Sequence, residues 1–461
     1  MIAESSASKS PPGATAPDRH GIEAELHRAR SRTLALVDGL TPDEQCAPVS
    51  PLMSPFVWDL AHIGNYEELW LLREIDGRHA IDPSLDDLYN AFEHPRWERP
   101  SLPMLSPVEA RAYNARVRDA VVTLLHDPGL DLSPSSDTPL LRDAFVYGMV
   151  IQHEHQHDET LLATHQLRGT AAKPPAGVVP FPSPDTGTTA SQAAVAPETF
   201  IEGGSFEMGT TRAATPWAYD NELGAHQRSV DPFWIDTVPV SNGTYLNFIE
   251  DGGYHNNRLW SPTGWAWRIE ADLVAPQYWV REGQHDWSML RFGQVLDLAD
   301  HLDEPVQHVC FHEAEAFATW AGRRLPTEPE WEKAARWDPA TGVSFANPWG
   351  NGPWTSQHAN LGQIHDGPAP VGSFPLGASP TGVLGLIGDV WEWTSTPFLS
   401  YPGFSAFPYA EYSEVFWDGD YRVLRGGSWA ADHTAARSTF RNWDHPIRRQ
   451  IFCGFRCARD A

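Results

Sequence analysis

Cysteine is scarce in this chain: Cys46, Cys310, Cys453 and Cys457 are four in 461 residues. So few thiols over such a length cannot supply a disulfide framework, and reduced side chains are expected. Positive charge is also in short supply, with 33 Lys and Arg against 60 Asp and Glu and a formal net charge of −27. That balance disfavours general electrostatic attraction to nucleic acid or to an anionic membrane and leaves small molecules as the natural partners. No run of 18 apolar residues occurs, and the Ser-, Pro- and Ala-rich start lacks the apolar centre of a secretory signal. These absences lead to the expectation of a cytoplasmic protein, bound to neither nucleic acid nor membrane, with a disordered leader over 1–20. A monomer is one expectation, since the sequence does not itself give the oligomeric state.

What is present is aromatic. Twenty tryptophans, many beside Gly, Pro or Asp, suggest loop-built sites walled by rings. With 41% hydrophobic residues, the chain exceeds what one core usually serves, so two domains are expected. Between 21 and 170 the pattern predicts helices over 22–39, 55–76, 107–126 and 139–168, a four-helix bundle. Three of the starts read as a hydroxyl followed by proline, Ser54-Pro55, Ser106-Pro107 and Thr138-Pro139, and Glu109 completes a capping box with Ser106. Residues 171–197 turn to Ala, Pro, Gly, Ser and Thr and are predicted to be a linker. From 198 to 461 short apolar and aromatic runs broken by turn residues predict a loop-rich α+β domain. Its two clear helices lie near 312–321 and 328–336, the second started by a Thr327/Glu330 capping box.

The fourth helix contains Gln152-His153-Glu154-His155-Gln156-His157-Asp158-Glu159. Residues four apart share a helical face, so His153 and His157 can converge on one ion while His155 points away. Phe145 and Met149 on the same face turn the imidazoles inward. On the second helix Trp58, His62 and Leu69 share the apolar face, with Gly64 leaving room. Three histidines from two helices make a set with open coordination positions, as a catalytic metal requires; zinc could use the same ligands, and His62 alone also reads as a core histidine. Arg96 and Arg99, between the second and third helices, form a pair suited to carboxylates, although solvated surface arginines look the same. Asn442, Trp443 and Asp444, in a predicted short polar loop Arg441-Asn442-Trp443-Asp444-His445-Pro446, offer an amide, an indole face and a carboxylate for an amine-bearing zwitterion, the ring suiting a quaternary ammonium. Tyr409 and Tyr412, in a Pro- and Gly-rich loop, read either as proton donors or as packing on the metal site. Cys453 and Cys457, beside Phe455, read as buried packing residues.

These residues resemble the iron-dependent sulfoxide synthases of ergothioneine biosynthesis. The likeness covers nearly the whole chain after residue 20. It is carried by Asp59-Leu60-Ala61-His62-Ile63-Gly64, Glu67-Glu68-Leu69-Trp70, His94-Pro95-Arg96, His153-Glu154 with Gln156-His157-Asp158-Glu159-Thr160, and the segment from Arg441 to Pro446. The bundle is similar to the DinB type. The second domain resembles the C-type-lectin-like fold of formylglycine-generating enzyme through Gly203-Gly204-Ser205-Phe206-Glu207-Met208-Gly209 and Arg324-Leu325-Pro326-Thr327-Glu328. The resemblance implies an oxygenase in which His62, His153 and His157 hold Fe(II) and γ-glutamylcysteine is joined to hercynine (Nα-trimethylhistidine) with O2, giving a sulfoxide. It implies that Arg96 and Arg99 hold the thiol substrate's carboxylates and Asp444 its ammonium. Gln156, Asn442 and Trp443 then contact hercynine, and a proton-donating tyrosine falls in the loop of Tyr409 and Tyr412, with Tyr409 preferred.

One position departs from close relatives, which place glutamine four residues after the first ligand where this chain has Tyr66. Tyrosine replaces part of the amide's hydrogen bonding but changes the bulk of the pocket on the imidazole side. A sulfoxide synthase that uses free cysteine, or histidine in place of hercynine as in ovothiol formation, therefore stands beside the first reading. So does a non-catalytic, zinc-stabilised binding module.

Overall fold

A computed structural model describes residues 17–172, 181, 196–281, 283, 286–417 and 419–461. Residues 1–16 of the expected leader, and nearly all of the expected linker, lie outside the described residues. No helix among the described residues is long and apolar enough to cross a membrane.

The bundle consists of α1 (Arg19–Val37), α2 (Phe56–Glu67), α3 (Pro107–Leu125) and α4 (Phe145–Leu167). Helix α3 starts as predicted: the Ser106 hydroxyl accepts from the Glu109 N–H, and the Glu109 carboxylate accepts from the Ser106 N–H at 2.9 Å. Two other predicted caps do not form. Pro55, not Ser54, occupies the capping position of α2, and the Ser54 hydroxyl accepts instead from Arg99 at 2.7 Å. Thr138 caps nothing either. The chain from Pro139 to Ala144 is a tight 3₁₀ stretch that kinks where Asp143 and Ala144 take positive φ, and α4 starts only at Phe145. The predicted second helix also changes its winding, continuing beyond Glu67 as a π-helical segment, Glu68–Ile75. Gly64 provides room for one specific neighbour: a Cβ there would sit 1.9 Å from Asn114 Oδ1 of α3.

The four helices are tied together by buried charge. Arg30 of α1 and Arg118 of α3 each bridge Glu67 of α2 and Glu154 of α4, with the four contacts between 2.6 and 2.9 Å. The Thr33 hydroxyl, with one proton to donate, lies 2.9 Å from Glu154 Oε1 and 2.8 Å from Asp158 Oδ1. This closed square is charge-balanced, and it sits one residue along the chain from both Tyr66 and His153.

Among the described residues the second domain contains two more α-helices than the two its sequence made clear. They are α5 (Asn242–Glu250), α6 (Pro262–Glu270), α7 (Phe311–Trp320) and α8 (Glu328–Arg336), with the predicted Thr327/Glu330 capping box at the start of α8. The strands that frame it are β1 (Glu198–Ile201), β2 (Phe233–Asp236), β3 (Trp391–Pro397), β4 (Arg422–Arg425), β5 (Asn442–Asp444), β6 (Cys453–Gly454) and β7 (Ala458–Asp460). One antiparallel sheet has the order β1-β2-β7, and a mixed sheet has the order β5-β4-β3-β6 with β3 and β6 parallel. Trp331, Trp393 and Trp429 are fully buried, so these three build the core rather than a site wall. All four cysteines are free thiols, and Cys453 and Cys457 are buried as packing residues.

Candidate active site

Helices α2 and α4 cross so that His62, His153 and His157 each bring a ring nitrogen to within 4.8 Å of the others. His62 Nδ1 lies 2.8 Å from the Tyr89 carbonyl, which can only accept, so Nδ1 carries the proton and Nε2 presents a lone pair. That lone pair faces His153 Nε2 at 3.2 Å. Two ring nitrogens at this separation are close to what neighbouring ligands of one ion require, roughly 3 Å for metal–nitrogen bonds of about 2.1 Å. Asp59 Oδ1 stands 3.4 Å behind His157 Nδ1, at the edge of hydrogen-bonding range. Its carboxyl is held below the ordinary value: burial raises it, but His157, then Arg99 and Arg96, override that effect. A carbonyl behind one imidazole and a carboxylate behind another is the outer shell that orients metal-binding histidines. Burial, then repulsion from His157, pushes His62 down to about 3; burial, then both partner imidazoles, pushes His153 well below its usual range. Both therefore stay neutral, the state that binds a metal. The donor set fits an ion.

His155 takes no part in the cluster; it is buried on another face, with Nδ1 3.1 Å from Asp158 and Nε2 3.8 Å from Asp432. The Tyr66 ring lies flat on His153, with centroids 3.7 Å apart, and its hydroxyl meets that of Tyr409 at 3.0 Å. Tyr409 in turn stacks on Trp70 at 5.3 Å. Burial is the first cause that lifts both phenols above their ordinary value, so each stays protonated. Tyr412 stacks on Tyr219 at 4.1 Å, and its hydroxyl accepts from the Gln156 amide at 3.4 Å. The other end of that amide accepts from the Tyr219 hydroxyl at 3.1 Å.

Asn442, Trp443 and Asp444 are not in a loop, as their polarity suggested, but form the edge strand β5 of the mixed sheet. The buried ion pairs of Arg441 with Glu328, and of Arg425 with Glu328 and Glu332, anchor its base. Trp443 stacks on Phe398 at 4.1 Å and makes a T-shaped contact with Tyr412, so β5 and Gln156 of α4 meet at one tyrosine. The Asn442 amide oxygen accepts from the next backbone N–H at 2.9 Å. Asp444 accepts from the His445 N–H and has Arg448 at 3.5 Å; burial raises its carboxyl, opposed by Arg448 and, more weakly, by Arg96. Arg96 is exposed and donates to the Leu52 carbonyl at 3.1 Å. Arg99 is buried: it donates to the His94 and Ala91 carbonyls and to Ser54, and its guanidinium lies 3.7 Å over the Trp58 ring.

Residues 25–161 match the DinB superfamily, and 184–461 match the sulfatase-modifying factor enzyme 1-like domain. A hercynine oxygenase of Mycolicibacterium thermoresistibile is 48% identical over 97% of this chain and 96% of its own. One from Mycobacterium tuberculosis is also 48% identical, over 97% of this chain and all of its own. The chain belongs to the hercynine oxygenase family. It is thus an oxygenase built from a DinB-like helical domain followed by a formylglycine-generating-enzyme-like domain. The formylglycine-generating enzyme of Mycobacterium tuberculosis matches the second part alone, at 35% identity over 43% of this chain and 73% of its own.

Sequence reasoning missed several residues at this family site. Asp59 and Tyr219 are the principal ones, with Trp70 behind Tyr409. Asp59 precedes His62 by three positions on one helix and was accessible to the i, i+3 rule. Tyr219 lies 63 residues from Gln156 in an irregular stretch, and no local signal points to it. Glu159, one turn beyond His155, accepts from Trp391 Nε1 of β3 at 2.8 Å and from the Ser428 hydroxyl, joining α4 to the second domain.

Proposed function

We propose that this protein uses iron(II) held by His62, His153 and His157 to join γ-glutamylcysteine to hercynine with O2, forming hercynyl-γ-glutamylcysteine sulfoxide in ergothioneine biosynthesis. The thiol loses its S–H hydrogen and the imidazole ring a C–H hydrogen. One oxygen atom of O2 goes to the sulfoxide and the other leaves as water, so C–S bond formation and sulfur oxidation together balance the four electrons that O2 accepts. The observation that carries this reading is the cluster of three imidazoles from two helices, with the His62 tautomer fixed by the Tyr89 carbonyl, facing an aromatic wall from the second domain. Iron there supplies positions at which thiolate, imidazole and O2 are held side by side.

In this reading Gln156, Asn442 and Trp443 receive hercynine, the indole face suiting its trimethylammonium group. Asp444 receives the ammonium of γ-glutamylcysteine and Arg96 a carboxylate. Arg99, with three protein acceptors already, holds the 91–99 segment against α2 and keeps two of its five N–H groups for a second carboxylate. Arg96→Ala is therefore expected to raise KM for γ-glutamylcysteine roughly 10- to 100-fold, the worth of a charged hydrogen bond, with less effect on free cysteine. Arg99→Ala is expected to lower thermal stability as well. Steady-state kinetics with both thiols, alongside thermal melts, separate the two roles.

Tyr409 is the proton donor in this scheme, its hydroxyl oriented by Tyr66, and Tyr412 positions Gln156. Without that proton the thiol would remain open to oxidation by O2 to a sulfinate, RSH taking up both oxygen atoms. Tyr409→Phe should accordingly divert product from sulfoxide to cysteine sulfinate, Tyr66→Phe should divert part of it, and Tyr412→Phe should weaken hercynine binding while keeping the product. Mass analysis of the three reactions tests the assignment. An unchanged product ratio in Tyr409→Phe removes Tyr409 from that role.

The deciding experiment is oxygen uptake by the iron-loaded protein with each pairing of γ-glutamylcysteine or cysteine with hercynine or histidine. Greatest efficiency with γ-glutamylcysteine and hercynine supports the proposal. Equal efficiency with cysteine favours a cysteine-using enzyme, for which the engaged Arg99 leaves room. Tightly bound zinc with no uptake for any pair favours the binding module.

A further inference from the structure

On the outer face of the bundle, a second group of histidine and carboxylate side chains comes together. His20, Glu23 and His27 stand at i, i+3 and i+7 of α1 and so share one stripe of the helix. His126 closes the end of α3 opposite them. His126 Nε2 lies 2.8 Å from Glu23 Oε2, His20 Nδ1 lies 4.0 Å from the same oxygen, and His27 Nε2 lies 3.7 Å from Glu23 Oε1. The His20 and His126 rings are 5.4 Å apart. A contact that uses none of these side chains holds the two helix ends in place: Arg19 donates to the carbonyls of Leu125, Asp127 and Leu130 just past the end of α3. The Glu23 carboxyl is kept below its ordinary value, first by the hydrogen bond to His126.

We propose that His20, Glu23, His27 and His126 form a zinc site that clamps the start of α1 to the end of α3. Three imidazoles and one carboxylate are a four-ligand set matched to zinc, whose tetrahedral donors stand roughly 3.4 Å apart at bonds of about 2.1 Å. His20, Glu23 and His126 bring donor atoms to within 4.8 Å of one another, and His27, 3.7 Å from the other Glu23 oxygen, stands outside that group until its side chain turns inward. His20, His27 and His126 are exposed, so small rotations of free side chains complete the geometry without moving the backbone. With all four positions filled by protein the ion has no open site, and its role is structural. Helix α1 also brings Arg30 and Thr33 to the buried charge square, so fixing its first turns steadies the helix on which that square depends.

The site is independent of the reading of the active site, and its test is a difference between two proteins. Zinc is titrated calorimetrically into the full chain and into His126→Ala and Glu23→Gln, all freed of metal beforehand. The parent is expected to bind one equivalent more than His126→Ala, whatever the three-histidine cluster takes up, and Glu23→Gln to hold that equivalent at least tenfold more weakly. Cobalt(II) in place of zinc should give the visible absorption of a tetrahedral ion in the parent, with that component lost in His126→Ala. Equal stoichiometry in the parent and His126→Ala, or an unchanged cobalt spectrum, overturns the proposal.

Discussion

His157→Ala is expected to take bound iron from one per chain to near zero and to abolish oxygen uptake, with His62→Ala and His153→Ala behaving alike. The cluster offers one nitrogen from each ring, and the two rings that lean on Tyr89 and Asp59 are already turned toward the centre. Removing one leaves two imidazole donors, too few to hold a labile divalent ion against water. His155→Ala is the control, because its ring lies on another face of α4 and should leave iron in place. Its cost is in stability: the ring stands between the buried carboxylates of Asp158 and Asp432, which then face each other with less compensation. Iron per folded chain, measured by elemental analysis after gel filtration, separates the two outcomes. Full iron occupancy in His157→Ala would end the ligand assignment.

The second large effect is expected in stability rather than in substrate binding. Arg118→Met removes one corner of the buried square and leaves Glu67 and Glu154 with Arg30 as their only remaining positive partner there, which should cost about 3–5 kcal/mol of stability. Chemical denaturation followed by helical circular dichroism measures it, and a loss under about 1 kcal/mol would mean that the square is no more than an exposed ion pair in its effect. Acid should act on the same element. Burial pushes Glu154 up, yet Arg30 and Arg118 override that and lower it to about 2 from its ordinary 4.5. A carboxyl depressed on folding stabilises fully above its unfolded value and loses that contribution as pH falls through the folded one. The square's contribution should therefore be intact above about pH 5 and disappear between roughly pH 4.5 and 2, and much less of it should be there to lose in Arg118→Met.

A helical repeat fixes which residues share a face, so His153 with His157, and the exclusion of His155, follow from spacing alone. Helix starts were legible only where capping was local: Ser106 and Glu109 satisfy each other within one turn. Ser54 presents the same signal, but Arg99, 45 residues away, claims its hydroxyl. Thr138 fails because the chain must kink at Asp143 and Ala144 before α4 can pack.

By itself the sequence determined the two-part architecture, the family and the three imidazoles, since each rests on short-range periodicity or on motifs that survive without coordinates. Tertiary structure alone decided what surrounds them: that Tyr66 lies flat on His153 and meets Tyr409, that Tyr219 and Tyr412 share Gln156, and that the 442–444 segment is an edge strand rather than a loop. Those contacts join residues up to 343 positions apart. No local rule reaches so far, because a long-range pairing depends on how two whole domains pack and not on the propensity of either partner.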